Sequence, residues 1–216
     1  MPRPTDHEHV GYVLHSGRLY DLLGWFVRRT DVPILDLAEV GTGDRVLDVG
    51  TGPGYLARAA ASRVGASGRA VGLDASPEMI AQARRRAARE TPSAEFVVAG
   101  AQRMPFGDGE FDVVVSRLAM HHLPGEVREQ ALAEMSRVLR PGGRLLLADM
   151  LAPSPIRMLH DIVRGSPSGL DGGEGGLPAA VRQVGFADVT TGPVGWLSYV
   201  KARSPSEPTS TGRGRS

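Results

Sequence analysis

The segment Arg45-Val-Leu-Asp-Val-Gly50-Thr-Gly52-Pro-Gly54 passes from aliphatic and β-branched residues into three alternate glycines, and the alanine-rich stretch from Tyr55 to Val64 follows with no spacer. This pattern predicts a buried strand, a turn stripped of side chains, and a helix whose free N–H groups face whatever occupies the turn. The alternation then repeats. Strand Ala70-Val-Gly-Leu-Asp74 precedes a helix marked by Ser76 as N-cap and Pro77 as its first residue. Strands Glu95–Ala99 and Phe111–Ser116, helix Val127–Leu139, the breaker Arg140-Pro-Gly-Gly143 and strand Arg144–Asp149 come next. Strands that read as continuous apolar runs, with helices between them, are buried on both faces and belong to a parallel sheet. The fold class is therefore α/β, a doubly wound, Rossmann-like domain with helices on both faces.

Composition excludes several alternatives. The 216 residues carry 25 basic and 24 acidic side chains, for a net charge of +1, which does not suit a nucleic-acid binder working by phosphate neutralisation. The Arg84–Arg86 run with Arg89 lies largely off the apolar Met79, Ile80, Ala83 and Ala87 face, and so reads as a solvated helix surface. There is no cysteine, so disulfides, thiolate metal ligation and cysteine nucleophiles are out. His7-Glu-His9 is too small a cluster to argue for a metal, and none is expected. No apolar run is long enough to span a bilayer, and the N-terminus lacks a signal-peptide core, so the expected location is cytoplasmic. Residues 1–43 are expected to form a helical cap around Leu19, Leu22, Leu23, Phe26 and Val27. Residues 44–203 form the binding domain and 204–216 a disordered tail. Gly165–Gly176, with six glycines in twelve residues, reads as a short mobile loop or lid.

Ligands of such sheets sit beyond the carboxyl ends of the strands. The glycine spacing here is G-x-G-x-G, with Tyr55 where a dinucleotide fingerprint would place its third glycine. Asp48 stands two residues before Gly50, where a carboxylate opposes a pyrophosphate but suits a cationic group. Asp74 closes the second strand, where an acid accepts bonds from both hydroxyls of a ribose. A ligand with a ribose, a cationic amine and no phosphate fits better than a nicotinamide nucleotide.

Val46-Leu-Asp-Val-Gly-Thr-Gly-Pro-Gly54, Gly72-Leu-Asp-Ala-Ser-Pro-Glu-Met79, Phe111–His122 and Leu139-Arg-Pro-Gly-Gly143 together resemble the ordered motifs of class I S-adenosylmethionine-dependent methyltransferases, nearest the small-molecule branch of the ubiquinone and menaquinone enzymes. The resemblance runs from about residue 20 to 202. It implies a seven-stranded sheet of order 3-2-1-4-5-7-6 with strand 7 antiparallel, with S-adenosylmethionine as cofactor and S-adenosylhomocysteine as product. It places Gly50, Thr51, Gly52 and Gly54 under the methionine part of the cofactor, with Asp48 at its amino group and Ser116 near its amino-acid end. Asp74 and Ala75 fall at the ribose, Met79 beside the adenine, and Tyr20 over the cofactor. Met79 as simple helix core remains an alternative. Family members often carry an aspartate for the adenine amino group where this chain has Gly100, within Ala99-Gly-Ala101-Gln102. Gln102 or a water then has to substitute, or affinity drops, because an unmade buried hydrogen bond costs about 1–3 kcal/mol.

Methyl transfer from a sulfonium needs alignment above all, and a base only where the acceptor loses a proton. An imidazole titrates near ~6.5 and suits that task. His121 and His122, just after the fourth strand, are the candidates, with His160 as a third from the segment after the fifth. The alternative is that one of the pair caps the next helix while the other packs under the loop. Partners expected are a small-molecule acceptor, no nucleic acid and no membrane insertion, and the short lid makes a homodimer with a shared active site worth testing. Other functions left open are a cofactor-retaining enzyme for cyclisation, rearrangement or decarboxylation, a non-catalytic cofactor-binding subunit, and a nicotinamide oxidoreductase.

Overall fold

The computed structural model describes residues 28–90, 94–150 and 176–206. Tyr20, His160, the helix expected around Leu19–Val27, most of the glycine-rich segment and the end of the tail lie outside the described residues. The elements in chain order are α1 (Asp31–Leu37), β1 (Arg45–Val49), α2 (Tyr55–Val64), β2 (Arg69–Asp74), α3 (Pro77–Glu90), β3 (Ala94–Val98) and β4 (Phe111–Arg117). A single 3-10 turn (Met120–His122) leads into α4 (Gly125–Val138), β5 (Leu139–Asp149), α5 (Leu177–Gln183), β6 (Ala187–Val194) and β7 (Leu197–Arg203).

The seven strands form one sheet in the order β3-β2-β1-β4-β5-β7-β6. β1 to β5 run parallel, and β7 is antiparallel to both β5 and β6. Alternate residues of each central strand feed opposite cores. Val46, Val113, Val115, Leu146 and Ala148 pack with α1, α2 and α3, whereas Leu47, Val49, Val114, Leu145 and Leu147 pack with α4 and α5. Burying one such side chain contributes about 1.5–3 kcal/mol, so apolar residues on both faces of a strand hold it in the middle of the sheet. The Ser76 cap forms as its sequence predicts, its hydroxyl accepting from the Met79 N–H at 3.2 Å.

Two elements differ from their sequence reading. Arg140-Pro-Gly-Gly143 lies inside β5 rather than before it: Leu139 pairs with Phe111, the four residues loop out, and pairing resumes at Arg144 opposite Val113. Gly142 takes φ +69°, which favours glycine. The chain after β7 docks here, Ser204 N–H donating to the Gly143 carbonyl at 2.8 Å and Gly142 N–H to that of Pro205 at 3.3 Å. β6, read from the sequence as Ala187–Thr191, also runs on through Gly192 and Pro193 to Val194. It is an edge strand, so a proline without an N–H can sit in it at little cost. No described helix is long and apolar enough to cross a membrane.

Candidate active site

β1, β2, β4 and β5 all end on one edge of the sheet, and the chain there turns back through residues that only this edge needs. Gly50, Gly52 and Gly54 all have positive φ, at +73°, +53° and +79°. Their surroundings differ. A methyl group on Gly50 would lie 2.4 Å from the Ala119 Cβ, and one on Gly54 would lie 2.7–2.8 Å from Phe96 and Ala83. At Gly52 an added methyl would meet nothing within 4 Å. Gly50 and Gly54 are thus glycine so that the protein can close on itself, while Gly52 borders open space.

Two carboxylates flank that space. Asp74 closes β2 and accepts from the Gly52 N–H at 2.8 Å and the Ser76 N–H at 2.9 Å, one bond on each oxygen. Each oxygen keeps a second lone pair, as a pair of ribose hydroxyls requires. Burial pushes the Asp74 carboxyl up from its ordinary range, partly offset by bonds from Ser76, Gly52 and Ala75 N–H groups. Asp48, 2% exposed, accepts from the Thr51 hydroxyl at 2.6 Å. Desolvation pushes its carboxyl up to about 6 against the opposing pull of the Thr51 bond and the Arg117 charge.

The remaining predicted residues sort into two groups. Met79 is half-buried while Ile80, Ala83 and Ala87 are buried, so it sits at the rim of its helix's apolar face, four residues on from exposed Ala75. The Gln102 carboxamide lies 2.6–2.9 Å from where a side chain on Gly100 would begin, with Ala101 half-buried between them. The exposed Gln102 side chain therefore occupies the space a side chain at position 100 would take. Ser116 is 1% exposed and donates its hydroxyl to the Val49 carbonyl at 2.8 Å, joining the ends of β4 and β1. His121 and His122 stack with ring centroids 3.9 Å apart. His121 Nδ1 lies 2.6 Å from Asp149 Oδ1, in a pair with side chains 4% and 1% exposed. Helix α4 begins behind Pro124 with no side-chain cap, so neither histidine fills that role.

Residues 46–143 match the model of a methyltransferase domain. That stretch of the chain is a methyltransferase domain. Among curated proteins, the chain is 35% identical over 161 residues to a ubiquinone/menaquinone biosynthesis C-methyltransferase of Ectopseudomonas mendocina, covering 71% of this chain and 62% of that protein. It is 32% identical over 163 residues to an arsenite methyltransferase of Halobacterium salinarum, covering 72% of this chain and 40% of that protein. Among solved structures, an S-adenosylmethionine-dependent methyltransferase from Aquifex aeolicus superposes with a TM-score of 0.63 at 20% identity, covering 81% of this chain and 89% of the other. The chain spans 33–62% of the length of curated relatives such as these.

The loop of this domain has an open flank at Gly52, with the half-buried acid Asp74 on the Gly52 N–H and the buried acid Asp48 on the Thr51 hydroxyl. Two features of the edge escaped the sequence. Arg117 forms a buried ion pair with Asp31 of α1 and donates to the Thr30 hydroxyl at 3.2 Å. Burial raises the Asp31 carboxyl in spite of that pairing. The second is Asp149. Both are strand-end or loop charges whose partners lie 28 or more residues away, and no local pattern announces them. Among the described residues, no group of three His, Asp or Glu side chains converges as a metal site requires.

Proposed function

We propose that this chain transfers a methyl group from S-adenosylmethionine to an oxygen, nitrogen or carbon atom of a small-molecule acceptor. The observation that carries this reading is the open space beside Gly52, with Asp74 on the Gly52 N–H and Asp48 on the Thr51 hydroxyl, at a loop otherwise sealed by Ala119, Phe96 and Ala83. The bound cofactor supplies an electrophilic methyl group on a sulfonium. Asp74 would hold the ribose hydroxyls, Asp48 the ammonium group, and the Gly50–Gly54 backbone would floor the methionine chain. Gln102 would meet the adenine amino group with its carbonyl oxygen, and Met79 would lie against the base. The two carboxylates disfavour a pyrophosphate, which their negative charges would repel.

The acceptor is a small molecule on this reading because the near-neutral charge gives a polyanion nothing to hold. Titration calorimetry with S-adenosylhomocysteine is expected to give one site per chain, with no heat from NAD. Product mass spectrometry on a panel of phenols, amines and thiols is expected to show a gain of one methyl group. Binding of NAD in place of S-adenosylhomocysteine overturns the reading of the loop, and retained cofactor with rearranged, unmethylated product overturns the transfer. Gln102→Ala is expected to weaken S-adenosylhomocysteine by about 3–10-fold, in line with one hydrogen bond of about 1 kcal/mol.

A further inference from the structure

The connection from β3 to β4 crosses the sheet without a helix. β3 ends at the carboxyl edge and β4 begins at the amino edge, with β2 and β1 between them, so residues 99–110 run the whole way back as loop. A helix usually makes such a crossing and satisfies its own backbone. Here two side chains of α4 do so instead. The Glu134 carboxylate accepts from the Met104 N–H at 2.7 Å, and Arg137 donates to the Met104 carbonyl at 3.2 Å and the Phe106 carbonyl at 2.9 Å. The two side chains are joined by a forked pair at 2.6 and 2.9 Å, and Arg137 also reaches Asp108 at 2.7 Å. The Arg137 bond holds the Glu134 carboxyl below its ordinary range. Charge-assisted bonds of this kind are stronger than those between neutral groups. Met104 itself is buried in a core shared with Leu73 of β2 and Met135 of α4.

The other end of the loop is tied down at the cleft. The Ala99 N–H donates to the Asp74 carbonyl at 3.0 Å, and the Arg103 N–H to the Gly100 carbonyl at 3.1 Å. Gly100, Ala101 and Gln102 therefore hang between two anchors, one on the acid that closes β2 and one on α4, and a single residue separates Gln102 from Met104. We propose that Glu134 and Arg137 are positioning residues for base recognition: by gripping Met104 and Phe106 they hold the Gln102 carboxamide where it meets the amino group of the cofactor's adenine. This rests on the methyltransferase reading above and deepens it, because it assigns the choice of purine to a clamp that touches neither base nor sugar. An exposed glutamine gives up rotamer freedom when it binds, so a drifting backbone beneath it would leave one hydrogen bond little power to discriminate.

The deciding experiment is Arg137→Met, which keeps an aliphatic stem and removes the donor fork. The probes are S-adenosylhomocysteine and an analogue with plain purine in place of adenine, lacking the amino group, each titrated by calorimetry. The wild type is expected to bind the first about 3–10-fold more tightly, the worth of one hydrogen bond. In Arg137→Met that ratio is expected to fall below about twofold, as in Gln102→Ala. A variant that only loosened the fold would weaken both ligands alike and keep the ratio, and Val181→Ala, which thins the same core from α5, is expected to do so. Arg137→Met with the wild-type ratio overturns the proposal. A wild type that binds both ligands equally overturns it too, since Gln102 then does not read the amino group. If the wild type binds neither ligand, the methyltransferase reading falls and the clamp's role with it. Should Arg137→Met not fold, Glu134→Gln keeps the shape but gives up one oxygen of the fork; the same fall is expected there, and an unchanged ratio overturns the proposal equally.

Discussion

The two edges of the sheet use charge in opposite ways. At the amino edge the acids meet arginines or a lysine in partly solvated pairs. Asp112 bridges Arg45 at 3.0 Å and Arg140 at 2.6 Å, Arg69 joins Glu95 at 2.8 Å and Glu110 at 2.6 Å, and Glu39 receives Lys201 at 2.5 Å. Desolvation opposes ionisation of Asp112, yet hydrogen bonds from Arg45 and Arg140 win and hold its carboxyl down at about 2. The Glu95 carboxyl is likewise lowered by its Arg69 bond, and that of Glu39 by its Lys201 bond. At the carboxyl edge Asp31, Asp48 and Asp74 all move upward, with burial the leading cause each time. One edge pairs its acids with partly solvated arginines or a lysine, and the other buries its acids, Asp31 against Arg117 and Asp48 and Asp74 against hydroxyl or amide donors, so that burial disfavours their ionisation.

The sharpest way to break this contrast is Asp48→Asn. Ionising a carboxyl whose pKa stands at about 6 rather than 3.8 costs the fold on the order of 3 kcal/mol at neutral pH, at about 1.4 kcal/mol per unit. Because the folded state holds this proton more tightly than the unfolded chain, the contribution to stability is present below about pH 4 and lost as pH rises through about 6. The variant is therefore expected to melt about 6–12 °C higher than wild type without ligand, followed by circular dichroism at pH 7.5. It should also bind S-adenosylhomocysteine some 30–150-fold more weakly, the worth of a charge-assisted bond of about 2–3 kcal/mol. In the wild type, affinity should fall by up to about tenfold per pH unit below about 6, as the acid must first give up its proton. A flat profile between pH 5 and 7 would place the ammonium elsewhere.

A second contrast lies within the glycine loop. Gly54→Ala forces a methyl group into Phe96 and Ala83 at positive φ and is expected to cost about 2–4 kcal/mol in urea melts. Gly52→Ala meets no protein atom, so about 1–2 kcal/mol of backbone strain is expected, with cofactor affinity reduced at least tenfold. Equal loss of stability in the two would remove the distinction between a sealed and an open glycine. The smallest effect belongs to the amino edge: Asp112→Asn should cost about 1 kcal/mol after allowance for solvent screening and leave cofactor affinity unchanged. The stability that Asp112 contributes is present above about pH 4 and lost as pH falls through about 2, opposite in sign to Asp48.

Much of the carboxyl edge was legible in the sequence because its signals are local. Asp48, the three glycines and Asp74 are read from a buried strand meeting a turn, and strand order followed once four motifs pointed to one family. The Asp149–His121 and Arg117–Asp31 pairs were not legible, since each forms only when the sheet brings distant segments level. Nor was the extent of β5. Arg140-Pro-Gly-Gly143 has the local chemistry of a strand breaker, and only the Leu139–Phe111 pairing on its far side shows that the strand starts earlier. The far end of β6 was hidden too, since the cost of a proline such as Pro193 depends on whether its strand has neighbours on both sides.

The looped-out residues of β5 carry a practical consequence. By gripping Ser204 and Pro205 they fix the chain's departure from β7 at the end of the sheet remote from the glycine loop. A fluorescent reporter or surface tether fused after residue 206 would hang on the far side, leaving the cleft open to immobilised-enzyme assays.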